Sequence, residues 1–220
     1  MLTLHGFPYS NYHNMVKHAL MEKGIPFKEN IAYPQSPELN AVTPIGKAPA
    51  MTTEKGTTLS ESSVLLDYLE DAYPENPLYP ADADARAQVR QLMKVAELYM
   101  ELPARRLLPA FLRKLEVSNE TREEVLAVLT RGVNAINALA SLSPYLTGAN
   151  LTMADIYLRY ALFIPKLVGP AFLDWDVMDN IPGLAEWDAM MADTDIARKV
   201  DADHQANSAD FMAYLAGKAG

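Results

Sequence analysis

Apolar positions follow two regimes along the 220 residues. In the first third of the chain, short apolar runs alternate with helical spacing. Met1 to Leu4 is a strand candidate, ended by Gly6 and Pro8. From Ser10 to Lys23, the residues Met15, Val16, Ala19, Leu20 and Met21 recur at helical intervals, which predicts a helix closed by Gly24. Ser10 is its N-cap candidate, because a hydroxyl there can accept from an otherwise unpaired first-turn N–H. Pro26 precedes a second strand, Phe27 to Ile31, and the Pro-rich stretch Tyr33 to Pro37 reads as loop. Ala50 to Thr53 and Thr57 to Leu59 flank Glu54-Lys55-Gly56 as a hairpin, and Ser60 opens a helix through Leu69. This order predicts a small α/β unit with parallel and antiparallel pairing in one sheet.

Three prolines between Tyr73 and Ala83 mark a linker. Beyond it the strand signal disappears. Helices are predicted over Ala85 to Leu102, Glu120 to Leu142, Thr152 to Val168, Ile181 to Ala192 and Asn207 to Ala216. Breaks fall at Pro144, Gly148, Pro170 and Pro182, while Pro103 and Pro109 kink or stop the first helix. The fold class is therefore an α/β N-terminal domain (1–76), a linker (77–84) and an all-helical C-terminal domain (85–220).

Composition narrows the chemistry. Half the residues are apolar and 21% are charged, as in a globular protein able to build a core without staples. There is no cysteine, which excludes a disulfide framework, a thiolate metal site and a protein thiol nucleophile, and fits a reducing cytoplasm. A net charge of -9 opposes sequence-independent nucleic-acid binding. No apolar run approaches the ~20 residues that span a bilayer, and the first residues lack a secretory pattern. The histidines at 5, 13, 18 and 204 form no i, i+4 pair with a carboxylate beside it, so no metal site is expected; His13 is expected at the surface of the first helix.

Four motifs carry a family resemblance. Phe7-Pro8-Tyr9-Ser10 with Met15 through Pro26 resembles the first-helix segment of cytosolic glutathione transferases. Thr43-Pro44-Ile45-Gly46-Lys47-Ala48-Pro49 resembles that family's NPxGKVPxL loop, with Pro49 at its cis position. Leu59-Ser60-Glu61-Ser62-Ser63 resembles its "ES" motif, and Leu151-Thr152-Met153-Ala154-Asp155-Ile156 its bundle capping box. Order and spacing extend over nearly the whole chain.

The resemblance implies a thioredoxin-like domain, a helical bundle, a cytoplasmic homodimer, glutathione as co-substrate and detoxification of a small hydrophobic electrophile. Glu61 and Ser62 would meet the γ-glutamyl end of glutathione at a helix N-terminus. Ala48-Pro49 would pair backbone groups with its cysteinyl part, and Lys47 either contacts the glycyl end or is a solvated loop charge. Ser10, Tyr9, Asn11 and Tyr12 all fall near the start of the first helix, where the sulfur would lie. Ser10 matches the serine of the Ser-type classes, although Asn11 replaces their usual proline. Tyrosine-type classes take their hydroxyl from the end of the first strand, where this chain has His5-Gly6.

Alternatives on the same scaffold are a glutathione-dependent disulfide reductase, isomerase or dehalogenase, or a non-catalytic interaction module. Tyr99, Met100, Arg105 and Arg106 lie where the family has the helical wall of its second pocket, yet a Met/Tyr stripe is more often core. Thr152 and Asp155 read as a folding device, each worth about 1 kcal/mol as a cap.

Overall fold

Strand β1 (Leu2–Gly6) buries Leu2 and Leu4 toward one side. The computed structural model describes residues 1–217. Helix α1 (Asn11–Glu22) follows, then β2 (Phe27–Ile31), a short α2 (Pro37–Asn40), the hairpin β3 (Ala50–Thr52) and β4 (Thr58–Ser60), and α3 (Ser62–Ala72). The sheet order is β2-β1-β3-β4. β1 runs parallel to β2, a pairing that needs a crossover, and α1 supplies it; β3 pairs antiparallel with β1 and β4. Met15, Val16, Ala19 and Leu20 on α1 and Leu65, Leu66 and Leu69 on α3 are fully buried. Each such leucine contributes roughly 1.5–3 kcal/mol by leaving water. The far ends of these helices are tied by charge: buried Lys23 donates to Glu70 at 2.9 Å and to the Asn76 carbonyl at 3.1 Å.

The remaining helices are α4 (Ala83–Val95), α5 (Leu102–Arg105), α6 (Leu108–Arg113), α7 (Asn119–Leu139), α8 (Met153–Ala161), α9 (Phe163–Phe172), α10 (Val177–Asn180), α11 (Leu184–Ala192) and α12 (Asp195–Gly217). Between α4 and α5 a π-helical turn spans Ala96–Glu101. Pro103 explains it. Proline has no N–H and its ring crowds the carbonyl four residues back, that of Tyr99, so the chain widens by one residue and Leu102 N–H bonds Glu97 instead. The Tyr99 carbonyl then lies against Gly132, where a Cβ would stand 2.7 Å from it.

Several sequence expectations change here. Thr152 to Val168 is two helices, broken at Leu162, and Pro170 lies inside α9 rather than ending it. α6 carries no sequence expectation, and α12 begins twelve residues before Asn207. Contacts divide the chain into two units, Tyr79–Met191 and a first unit that joins Met1–Leu78 to the C-terminal stretch from Ala192. The last helix, read from sequence as part of the helical domain, thus belongs with the α/β unit. Inside the helical unit, Asp155 is completely buried and does more than cap α8. Its Oδ2 accepts from the N–H and the hydroxyl of Thr152, and its Oδ1 from Leu146 N–H at 2.8 Å and Trp187 Nε1 at 3.1 Å. Among the described residues, no helix is long and apolar enough to cross a membrane.

Candidate functional site

Sheet register brings three turns to one end of the first unit. His5 lies opposite Ala50, and Ala50 opposite Ser60. The chain leaving β1 toward Ser10, the chain entering β3 through Ala48-Pro49, and the chain leaving β4 into Glu61-Ser62 therefore emerge side by side. Gly6 lets the first two touch. Its φ is +151°, and a Cβ there would stand 2.5 Å from His13 Nδ1 and 3.1 Å from the Ala48 Cβ.

The first turn presents Ser10. It caps α1 from an extended conformation, and its Oγ accepts from His13 N–H at 3.3 Å. The hydroxyl acts here as acceptor, so its own hydrogen is left to donate outward. The first turn of α1 holds no acidic residue that would oppose an anion at the helix dipole. Of the neighbours, Asn11 is buried, and Tyr9 and Tyr12 are half-buried. The Tyr9 ring stacks on His204 and Phe211.

The second turn is braced from behind. Gln35 N–H donates to the Gly46 carbonyl at 2.9 Å, and its side-chain amide to the Ile45 carbonyl at 3.0 Å. The Ala48-Pro49 peptide bond is cis, as the resemblance implies. Ala48 is half-buried and Lys47 is exposed. In the third turn Glu61 is exposed with φ +71°, Ser62 is buried, and no side chain caps α3. A helix start without a side-chain cap is a place where backbone N–H groups can meet a carboxylate. Structure thus brings Ser10, Ala48, Pro49, Glu61 and Ser62 to one end of one sheet.

His13 is not at the surface. It is completely buried, with Nε2 3.0 Å from Glu29 Oε1, and burial pushes its pKa down against the pull of Glu29. The neutral ring then donates through Nε2, and the bare Nδ1, which has no partner, faces Gly6. Lys17, also buried, reaches Glu29 at 2.7 Å and Asp203 at 2.8 Å. Burial pushes the Glu29 carboxyl up, but hydrogen bonds from His13 and Lys17 outweigh it and hold the pKa at about 2. Of the residues at the expected second-pocket wall, Met100 is core, Arg105 pairs with buried Glu101, and Arg106 meets Glu124 at 2.9 Å; only Tyr99 is an exposed apolar surface.

The part played by α12 escapes the motifs. Its inner face, Ile196, Val200, Asp203, His204, Asn207, Phe211 and Tyr214, does keep helical spacing. That periodicity was the available signal, obscured by the polar residues interspersed within it.

A mixed four-stranded sheet with a cis-proline loop and two helix N-termini at one end, in a chain that also carries a helical unit, defines a protein with a thioredoxin-like fold. Residues 4–77 match the family model described as the glutathione S-transferase N-terminal domain. A glutathione S-transferase of Pseudomonas putida is 38% identical over 216 residues, covering 98% of either chain. A maleylpyruvate isomerase of Ralstonia sp is 28% identical over 71% of this chain and 79% of its own. Among solved structures, the fold matches a Methylobacterium radiotolerans glutathione S-transferase in complex with glutathione sulfonate, with a TM-score of 0.77 at 22% identity over 90% of this chain and 93% of that one. The chain belongs to the glutathione S-transferase family. It is a glutathione transferase, an enzyme with glutathione as co-substrate.

Proposed function

We propose that the first unit binds glutathione across its three converging turns and activates the thiol at Ser10 for attack on a small hydrophobic electrophile. The observation that carries this reading is the His5–Ala50–Ser60 row, which sets a hydroxyl donor, a backbone pairing edge and a helix start without a side-chain cap at one end of the sheet. A free thiol has a pKa of ~8.5, so only a few per cent is anionic at neutral pH. Ser10 O–H and the N-terminus of α1 both favour the anion, and each unit of pKa lowering is worth ~1.4 kcal/mol. The thiolate then forms a carbon–sulfur bond to the electrophile as its leaving group departs. Ala48 backbone groups hold the cysteinyl part, the start of α3 with Ser62 takes the γ-glutamyl carboxylate, Glu61 meets its ammonium, and Lys47 reaches the glycyl end.

Calorimetry and ultraviolet thiolate absorbance test this together. Ser62→Ala should weaken glutathione binding, whereas Ser10→Ala should leave affinity within a few fold, raise the bound thiol's pKa and slow conjugation. If the wild type does not bind at millimolar glutathione, the reading fails; if only Asn11→Ala, Tyr9→Phe or Tyr12→Phe shifts the titration, the donor is that neighbour. Isomerisation by reversible addition of the same thiolate is a second reading, supported by the similarity to a maleylpyruvate isomerase. Disulfide reduction would need glutathione to supply every thiol, since the chain has none. We place the enzyme in the cytoplasm, in detoxification, as a homodimer. The exposed Val64 on α3 and Leu98 and Leu102 on the helical unit are apolar positions that a second copy can cover.

A further inference from the structure

Helix α12 closes on the turn that presents Ser10. Asn207 Oδ1 accepts from Tyr9 N–H at 3.3 Å, while its Nδ2 donates to the Tyr33 hydroxyl at 3.0 Å. Reversing the amide would set two donors against each other at Tyr9, so this orientation follows from the partners. Around the bridge, Phe211 stacks on Phe7 at 4.7 Å and on Tyr9 at 5.2 Å, His204 stacks on Tyr9 at 4.4 Å, and Tyr214 donates to the Pro34 carbonyl at 2.7 Å. Within the turn, Ser10 N–H donates to the Phe7 carbonyl and Asn14 Nδ2 to the Pro8 carbonyl; the His204 ring on α12 bonds the Pro8 carbonyl as well. Pro8 brings no N–H of its own. Tyr9 N–H is thus the main-chain donor of this turn that a distant segment satisfies, and it sits one residue before Ser10.

We infer that Asn207 is a positioning residue for thiol activation: its amide locks the Phe7–Ser10 turn to the Tyr33 loop and so fixes the Ser10 hydroxyl and the start of α1 relative to the sulfur. The inference rests on the proposal that this turn receives the glutathione sulfur. A packing helix would need only apolar contacts here, and a side-chain amide that accepts from one loop and donates to another sets their register instead. Without it, Tyr9 N–H loses its partner and the turn moves to find another. Displacements of about 1 Å in a reacting geometry cost up to ~10²-fold in rate. The Ala48 loop keeps its own bonds from Gln35 to the Gly46 and Ile45 carbonyls, and the start of α3 lies outside this bridge, so glutathione affinity is spared.

The experiment is ultraviolet titration of bound glutathione, with kcat and KM, on the full chain as wild type, Asn207→Ala, Tyr33→Phe and Ser10→Ala. Because the protein has no cysteine, all thiolate absorbance belongs to the ligand. Asn207→Ala should raise the bound thiol's pKa by about half to one unit and lower kcat at neutral pH by about three- to tenfold, the matching loss of thiolate. KM for glutathione should stay within about twofold. Tyr33→Phe, which keeps the Tyr9 bond and removes one anchor of the amide, should shift both in the same direction by less, and it decides the matter should Asn207→Ala fail to fold. A folded Asn207→Ala that titrates like wild type, or that raises KM with the thiol pKa unchanged, overturns the inference. If Ser10→Ala shifts the titration and Asn207→Ala does not, the clamp alone is refuted. If Asn207→Ala shifts it and Ser10→Ala does not, the clamp holds and the donor in the turn is another group.

Discussion

Replacing Asp155 by alanine should cost the helical unit about 3–5 kcal/mol, several times the loss from Thr152→Ala. Three N–H groups lose their acceptor in that variant, from Leu146, Thr152 and the Trp187 indole, as does the Thr152 hydroxyl. A hydroxyl can turn to another partner, but the three N–H groups are fixed by backbone or ring. Leaving a buried donor unpaired costs ~1–3 kcal/mol, so three give at least about 3 before the structure relaxes. An opposing effect is present: burial pushes the Asp155 carboxyl up, so the ionised form already pays for desolvation. That offset keeps the expectation at the lower part of the range. Asp155→Asn keeps one oxygen and turns an NH2 against the donors at the other, so it should recover less than half of the loss. Urea unfolding at neutral pH, followed by circular dichroism and by the fluorescence that Trp187 contributes, gives the numbers. A loss below about 1.5 kcal/mol for Asp155→Ala, level with Thr152→Ala, would show that the residue is an ordinary cap.

Acid should loosen the first unit through Glu29. Its folded pKa of about 2 lies below the ordinary 4.5, so the stability it contributes is complete above pH 4.5 and is lost as pH falls toward 2. Neutral buried His13 acts with the same sign, beginning as pH drops through 6.5. With the Glu29 side chain 29% exposed, solvent screening leaves roughly 1–2 kcal/mol, and Glu29→Gln should remove that slope; parallel pH profiles for the two proteins would refute it. For the assembly, light scattering should give about twice the 24.3 kDa chain mass, and a monomer across micromolar concentrations would end the dimer reading.

Local chemistry was legible in the sequence where a side chain acts on its own neighbourhood. Ser10 caps α1 three residues before His13, Gly24 follows its end, and Pro49 sits before β3, all within a few positions of what they control. Less was legible where the cause lies far along the chain. The π-turn at Ala96–Glu101 needs Pro103 and, across the unit, a glycine at 132 to accept the displaced carbonyl. His13 reads as a surface histidine on a helix of mixed polarity; Glu29 and Lys17 supply the partners that let it be buried. Pro170 reads as a stop, yet the carbonyl it leaves without a donor does not end α9. Asp155 shows both faces: its bonds to Thr152 are three residues away and legible, and its bonds to Leu146 and Trp187 are not.

Three helix starts in this chain use the same elements to different ends. At α8 the cap is saturated, since both oxygens of Asp155 are engaged by donors of the protein and the helix end is sealed beneath Trp187. At α1 the cap is half used: Ser10 Oγ accepts from His13 and keeps its hydrogen. At α3 no side chain caps at all, and Glu61 enters through a positive φ. A helix end that needs only stability gains from the first arrangement, because each unmatched N–H in a dry site is costly. The other two make sense at a site where an anion arrives from outside the protein. Ser10 should then accept threonine, which keeps both the cap acceptor and the outward hydrogen, with most of its thiol activation intact, while Asp at the same position should cap α1 as well as serine and raise the bound thiol's pKa by placing a negative charge beside the sulfur. Stability and thiol pKa moving together in Ser10→Asp would contradict the distinction between the two kinds of cap.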